Sequence, residues 1–403
     1  MTISETQYHA YADAFSERVS AVVESASQLS AFSARLAAAN LTADRIVTTG
    51  DLAGLPILSK DDVLELQRAT PPFGGMLAPG ADVSRIFQSP GPLYEPQLSG
   101  VDPWRWAPAL RAAGFGETDT VLNCFGYHLS PAGAMFDEGS RAVGASVVPA
   151  GIGSGDLQAR AICDLPITAY TGLPSYLKAL IDKYETLGFE RIRWTIERAV
   201  VTAEPLPDSL RAELNTYVPV VKMAYGTAET GLLGYEDEPG AGLVVPDDVL
   251  VEICVLTSGE PITDGEGQIV VTLFRPEYPL IRFGTGDISA WIDGGDGRPR
   301  LAGILGRVGQ AVKVRGMFLH PAQAVRAVGA AAGVAAFRLV VDRVEHRDSL
   351  RCEIVIEPSS QSLAVVDDVT SRIRQELRFA CEVVAVDALP AGSDTIVDER
   401  DWS

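Results

Sequence analysis

The chain of 403 residues is 47% hydrophobic and 21% charged, enough apolar content for a well-buried protein, and its length predicts a large domain plus a smaller one. A formal net charge of −20 argues against nucleic acid or an anionic membrane as partner. The charge is uneven: from Gly306 onward 12 Lys and Arg face 14 Asp and Glu, whereas the first 305 residues carry 21 against 39, so an anionic ligand meets least repulsion near the C-terminal part.

In chain order, residues 6–45 are Ala-rich with helical spacing. Ser59 before Lys60-Asp61-Asp62 is an N-cap followed by an acidic first turn, which predicts a helix starting near Lys60. The stretch 71–100 is dense in Pro and Gly and predicts loop with short strands. From 103 to 225, helical segments (103–113, 131–143, 155–163, 174–187, 206–216) alternate with short apolar runs at 121–125, 145–149, 199–201 and 220–223, the signature of βαβ units and a parallel sheet. Residues 240–304 switch to strands with Gly-rich turns and predict an antiparallel, barrel-like insert. Beyond 306, strands and helices recur at a length suited to a small α+β domain. The expected division is 1–305 and 306–403, in the α/β class.

Cys124, Cys163, Cys254, Cys352 and Cys381 have no C-x-x-C spacing and read as reduced residues of a cytoplasmic protein. Four histidines make a His-rich metal site improbable. No apolar run of about 18 residues predicts a membrane span. The polar, acidic N-terminus is unlike a signal peptide.

Three segments carry the strongest functional signal: Ala224-Tyr225-Gly226-Thr227-Ala228-Glu229-Thr230, Thr285-Gly286-Asp287, and Gly306-Arg307 followed by Val312-Lys313-Val314-Arg315-Gly316. Leu55-Pro56-Ile57-Leu58-Ser59-Lys60, Asn123-Cys124-Phe125-Gly126-Tyr127, Leu173-Pro174-Ser175-Tyr176 and Thr202-Ala203-Glu204-Pro205 precede them. In order and spacing these resemble the adenylate-forming enzymes, and in detail the phenylacetate-CoA ligase family. The resemblance implies a large α/β domain with parallel sheets and a barrel-like insert, plus a small mobile α+β lid. It also implies AMP or ATP and coenzyme A as cofactors, Mg²⁺ as a possible metal, and a small acyl or aryl substrate. Homodimerisation is a further implication.

The same resemblance gives residue roles. Ala203, Glu204 and Pro205 form an adenine strip. Tyr225, with Gly226 and Thr227, offers a flat ring to a purine, and Glu229 becomes a catalytic carboxylate and Mg²⁺ ligand. Asp287, expected at a strand end, accepts two ribose hydroxyls. Arg307 contacts ribose or phosphate. Lys313 and Arg315 meet a CoA phosphate, or are two charges on an exposed strand. Phe125, Tyr127 and Tyr170 line an acyl pocket, or pack in the core. His128 is a base near neutral pH, or a structural histidine.

Two departures stand against ATP activation. The family's phosphate loop, Ser-Ser-Gly-Thr-Thr-Gly-Lys-Pro, corresponds to Ser89-Pro90-Gly91-Pro92-Leu93-Tyr94-Glu95-Pro96. Pro90 and Pro92 have no N–H to offer a phosphate, Leu93 and Tyr94 add bulk, and Glu95 brings a negative charge to the lysine position. The catalytic lysine aligns with Asp394 or Thr395, and no lysine follows Lys313. Ala228 also stands where the family has a hydroxyl. Three readings remain open: a carboxylate-CoA ligase-type enzyme, an ATP-independent acyl-transfer or thioester-processing enzyme, and a non-catalytic nucleotide or acyl-CoA binding protein.

Overall fold

The computed structural model of the chain describes residues 3–89, 92–308, 312–315, 317–319, 321–344, 347–358, 361–390 and 395–400. It divides into two compact units, Met1–Gly306 and Arg307–Ser403.

In the first unit β1 (Val83–Gln88) and β2 (Tyr94–Leu98) form an antiparallel hairpin within the Pro- and Gly-rich stretch. Then β3 (Thr120–Asn123), β4 (Ser146–Val148), β5 (Ala169–Gly172), β6 (Arg198–Val201) and β7 (Val220–Thr227) lie parallel, in the spatial order β4-β3-β5-β6-β7. Helices Ala132–Ala142, Gly155–Asp164, Pro174–Thr186 and Asp208–Asn215 supply the crossovers. The expected βαβ alternation is present. β5 lay outside the apolar runs because Ala-Tyr-Thr-Gly has too little aliphatic content to mark a strand.

Beyond β7 the sheet becomes antiparallel. β8 (Gly231–Tyr235), β9 (Leu243–Val244), β10 (Val249–Cys254), β11 (Glu266–Leu273), β12 (Phe283–Asp293) and β13 (Pro299–Leu301) continue from β7 in the order β8-β9-β13-β12-β11-β10. The antiparallel strands are thus hydrogen-bonded onto the parallel sheet, giving one mixed sheet. All six residues of β10 are buried, Glu252 among them, so the strand shows no alternation of buried and exposed positions.

Arg282 anchors the segment that leads into the site. Its side chain is 1% exposed and lies beside Glu252, with Nε 3.4 Å from Oε2. Its Nη1 donates to the carbonyls of Ala53 and Leu55 at 3.0 and 2.9 Å, holding the 3-10 turn Gly50–Gly54. The backbone N–H groups of Leu58 and Gly284 then exchange bonds with the carbonyls of Arg282 and Leu58 at 2.8 and 2.9 Å. That bridge fixes where the next helix, Lys60–Ala69, begins. Ser59 and Asp62 form a reciprocal capping box there, as the Ser59 cap predicts.

The second unit pairs Val334–Val344 antiparallel with Arg347–Ile356, flanked by Ile396–Asp398 and Glu382–Ala385, each parallel to its neighbour. The helix Ser362–Arg372 packs Val365 and Val369 into the core with Leu339, Val341 and Cys352. No helix among the described residues is long and apolar enough to cross a membrane.

Arg282→Met is expected to destabilise the first unit by about 3–5 kcal/mol in urea unfolding, because it leaves Glu252 buried without its cation. Adding Glu252→Gln should recover a large part of that loss.

Candidate functional site

The C-terminal ends of parallel strands are where an open α/β sheet presents ligand-binding groups. Thr202-Ala203-Glu204-Pro205 leaves the end of β6, and Ala203 adopts φ +73°, a left-handed conformation that strains a residue with a Cβ. Ser175 donates to the Glu204 carboxylate at 2.5 Å. Tyr225-Gly226-Thr227 closes β7, with a register irregularity between Tyr225 and Gly226. A Cβ at Gly226 would sit 2.4 Å from the Gly231 carbonyl oxygen, so only glycine permits this turn.

Thr285-Gly286-Asp287 lies inside β12 rather than at a strand end, which corrects the expected placement. Between the pairs Gln268–Ile288 and Val270–Gly284, one residue of β11 (Ile269) faces three of β12 (Thr285, Gly286 and Asp287), so the tripeptide bulges from the ladder. Gly286 takes φ +82° within it. Bulges re-aim side chains, and here the outcome is that Tyr225 Oη donates to Asp287 Oδ2 at 2.8 Å. A sequence separation of 62 hides this pairing from the sequence.

A second group lies on the adjoining face. Lys60 Nζ is 2.9 Å from Glu229 Oε1, with the two side chains 19% and 5% exposed. Burial would raise the Glu229 carboxyl, but the Lys60 ammonium and hydrogen bonds from Thr227 and the backbone outweigh it and hold the group below its usual value. Gln67, two turns along the same helix face, receives the Tyr94 N–H at 2.8 Å and donates to the Tyr94 carbonyl at 2.8 Å. Its amide acts as a surrogate strand that fixes β2. Sequence reasoning missed Gln67, although its seven-residue spacing from Lys60 and a buried Val63 between them mark one face.

The β1–β2 hairpin includes the stretch that the resemblance matches to a phosphate loop. Ser89 N–H donates to the Leu93 carbonyl at 2.8 Å, and Leu93 is fully buried in the core that contains Tyr225 and Leu58. The donors a phosphate cradle needs are therefore absent or engaged at Ser89, Pro92 and Tyr94. Pro90 and Gly91 lie outside the described residues. Glu95 is 3% exposed, and its Oε1 has no hydrogen-bond partner among the described residues. Burial first, then the nearby Glu229 charge, pushes its carboxyl well above the usual range, against the opposing pull of Lys60. The expected negative charge at this position is thus replaced by a carboxyl biased toward its neutral form. Tyr278 is buried beside both carboxyls, and burial followed by their charges raises its hydroxyl.

The remaining candidates fall elsewhere. Tyr170 is fully buried, donating to the Leu173 carbonyl at 3.0 Å, and Phe125 stacks on Phe136 with centroids 4.4 Å apart. Tyr127 is half-buried; its hydroxyl donates to Asp137 at 3.1 Å and accepts from Asn123 at 2.8 Å. Asn123 and Thr171 meet at 3.2 Å between β3 and β5, where the strand order reverses. His128 is exposed, and no described residue orients its ring.

In the second unit Arg307 is half-buried. Arg315 is exposed, yet its N–H and Nε donate to Asp348 Oδ2 and the Asp348 carbonyl at 2.9 and 2.8 Å. Arg400 pairs with Asp348 at 3.1 Å and Asp398 at 2.6 Å. The Lys313 side chain, Gly316 and Asp394 lie outside the described residues; the Thr395 carbonyl accepts from Leu339 N–H at 2.9 Å.

The chain is 26% identical over 386 residues to phenylacetate-coenzyme A ligase of Aromatoleum evansii, covering 89% of this chain and 87% of the relative. It is 27% identical over 372 residues to phenylacetate-coenzyme A ligase of Escherichia coli (strain K12), covering 87% and 84%. A solved structure of 2-hydroxyisobutyryl-CoA ligase with 2-HIB-AMP and CoA superposes with a TM-score of 0.88 at 19% identity, covering 99% of this chain and 91% of the other. No family model matches the sequence.

Lys60→Met is expected to cost about 3 kcal/mol, at the lower end for breaking a buried pair because Lys60 keeps some solvent contact. Lys60→Met with Glu229→Gln should be closer to wild type, by chemical denaturation. A second expectation follows from Glu95. Below its unfolded value of 4.5 both states hold the proton. As pH rises past that value the unfolded chain ionises first, so stability falls until the folded carboxyl ionises too. Thermal melts at about pH 5 and about pH 8 should therefore show Glu95→Gln gaining on wild type at the higher pH.

Proposed function

We propose, for a chain that belongs to the phenylacetate-CoA ligase family of adenylate-forming enzymes, that it is an enzyme of carboxylate-CoA ligase type with a retained nucleotide half and a rebuilt phosphate half. It handles an aryl or small acyl group as acyl-adenylate or CoA thioester. The observation that carries this is the bond from Tyr225 to Asp287, which joins a purine-sized ring and a diol-accepting carboxylate in one place. The relatives named for joining carboxylates to coenzyme A support the acyl and CoA assignments.

A second reading, an ATP-independent acyl-transfer or thioester-processing enzyme on the same fold, is favoured by the hairpin at 83–98. Removing one donor that stabilises developing charge costs about 10²–10³ in rate. Here the Ser89 and Tyr94 N–H groups are engaged, Pro92 has none, and the aligned lysine is replaced by Glu95.

Mg²⁺ fits poorly at Glu229. Its Oε1 is already 2.9 Å from the Lys60 ammonium, whose charge opposes a dication there, and among the described residues no group of three or more His, Cys, Asp or Glu side chains is placed to hold a metal, whereas Mg²⁺ requires oxygen ligands at about 2.0–2.1 Å and keeps several waters. No step is assigned to the metal. Lys60 and the Tyr225–Asp287 pair are assigned binding and orientation of the nucleotide, and the acyl group is assigned to the loop after β3.

Asp287→Ala is expected to weaken AMP binding at least tenfold, about 1.4 kcal/mol, in calorimetric titration. Tyr225→Phe keeps the ring and should change it less. Unchanged AMP affinity in Asp287→Ala overturns the nucleotide assignment. Acyl-CoA turnover in wild type that is lost in Asp287→Ala excludes a purely binding role.

A further inference from the structure

The first half of β8 has an edge that no strand covers. Among the described residues β9 pairs with β8 only at Tyr235, so the backbone groups of Thr230 and Leu232 that point away from β7 need other partners. The segment Asp102–Trp106 supplies them. The Leu232 N–H donates to the Trp104 carbonyl at 2.9 Å. Arg105 Nη2 donates to the Thr230 and Leu232 carbonyls, each at 2.9 Å. Its Nε lies 3.1 Å from Asp248 Oδ2, just before β10, and the Arg105 side chain is 13% exposed. One guanidinium thus stands in for a neighbouring strand. Its planar fork of donors suits that role better than a single ammonium does.

The braced residues belong to the turn that carries the nucleotide candidates. Across the β7–β8 ladder Leu232 pairs with Gly226 and Gly231 with Thr227. Tyr225 lies just before the turn and Glu229 within it. The packing leaves no slack. A Cβ at Gly231, which takes φ +74°, would lie 2.4 Å from the Trp104 carbonyl oxygen, and one at Gly226 would lie 3.0 Å from Trp106 Cζ2. The bracing segment is itself strained: Asp102 and Arg105 take φ +47° and +64°, left-handed values that are uncommon for residues with a Cβ. Its surroundings hold it there. The Asp102 carboxylate accepts from the Trp106 and Ala107 N–H groups at 3.0 and 2.7 Å, and Arg275 donates to the Pro103 carbonyl. Backbone strain of this kind clusters at functional sites, and here its outcome is a guanidinium directed at β8.

We infer that Arg105 is a positioning residue for the nucleotide site, holding the turn that presents Tyr225 and Glu229 through the Thr230 and Leu232 carbonyls. This rests on the nucleotide reading above and adds to it the residue that fixes the geometry of that turn. Thr230 and Leu232 are fully buried, so removing the guanidinium leaves their carbonyls without a donor in a dry place, and the turn must shift to find others. The Asp248 side chain is 47% exposed, so the ion pair is the smaller part of the bracing.

The test is calorimetric titration of the full chain with AMP, in wild type, Arg105→Met, Arg105→Lys and Asp248→Asn, with a thermal melt of each. Well below its melting temperature, Arg105→Met is expected to weaken AMP binding about tenfold. Arg105→Lys should lose less, because an ammonium still serves one carbonyl. Asp248→Asn should stay within about twofold of wild type. A merely structural role would lower the melting temperature of Arg105→Met and leave the AMP affinity of the folded protein within about twofold of wild type. That result overturns this inference and leaves the nucleotide reading standing. A loss in Asp248→Asn as large as in Arg105→Met also overturns it, because the ion pair would then carry the effect. Hydrogen exchange on ligand-free wild type decides the matter if the Arg105 variants do not fold. The Leu232 amide is expected to exchange slowly, and rapid exchange would mean that the brace does not hold. Absence of AMP binding to wild type overturns the nucleotide reading itself, and this inference with it.

Discussion

The arrangement of the site depends on burying one ion pair, Lys60 with Glu229. Taking two charges out of water costs several kcal/mol per ion unless geometry and neighbours compensate. The surrounding chain is organised around that demand. Arg282 pins the turn before the helix, and the Leu58–Phe283 bridge sets its start. The Ser59–Asp62 box caps it so that Lys60 opens the first turn at a defined azimuth. Gln67 at the far end then clamps β2, which delivers Glu95 to the same cluster. A helix of ten residues thus ties the mixed sheet to the hairpin.

The local signals in the sequence were legible where one residue type dictates one conformation. The Ser59 cap, the alternation of apolar runs with helical segments, and the glycine at 226 all answer to short-range rules. The Tyr225 and Asp287 assignments came from a resemblance; their contact, across 62 residues and through a bulge, is a tertiary fact. Glu95 was legible as a residue and illegible as a charge state. Its neutrality depends on burial and on Glu229, which lies more than a hundred positions away. Gln67 carried no motif at all, because a side-chain amide that substitutes for a strand leaves no composition signal.

The acyl-pocket candidates show the opposite limit. Aromatic residues near a strand end are compatible with both a ligand wall and a core, and periodicity cannot separate them. Tyr170 and Phe125 are packed inside, with their polar or ring contacts satisfied by Leu173 and Phe136. Tyr127 differs because its hydroxyl joins Asn123 and Asp137 beside the strand-order reversal. That network positions the loop after β3, the segment to which the proposed function assigns the acyl group.

The chemistry of activation gives these features a common direction. Forming an acyl-adenylate from ATP requires charge to be stabilised on the departing diphosphate as well as on the phosphate that remains. Using a ready-made adenylate or thioester requires it at one centre. On the second reading proposed above, a chain with a β1–β2 hairpin in the stretch that resembles the phosphate loop, and a buried carboxyl at the lysine position, would have given up interactions needed only by the first process. The Tyr225–Asp287 contact and the Lys60 ammonium are useful to both. Only interactions stronger in the transition state than in the ground state accelerate a step. On that second reading, losing those specific to triphosphate cleavage while keeping those for a monophosphate ester would shift the fold toward the later half of a ligase cycle, where the acyl group arrives already activated.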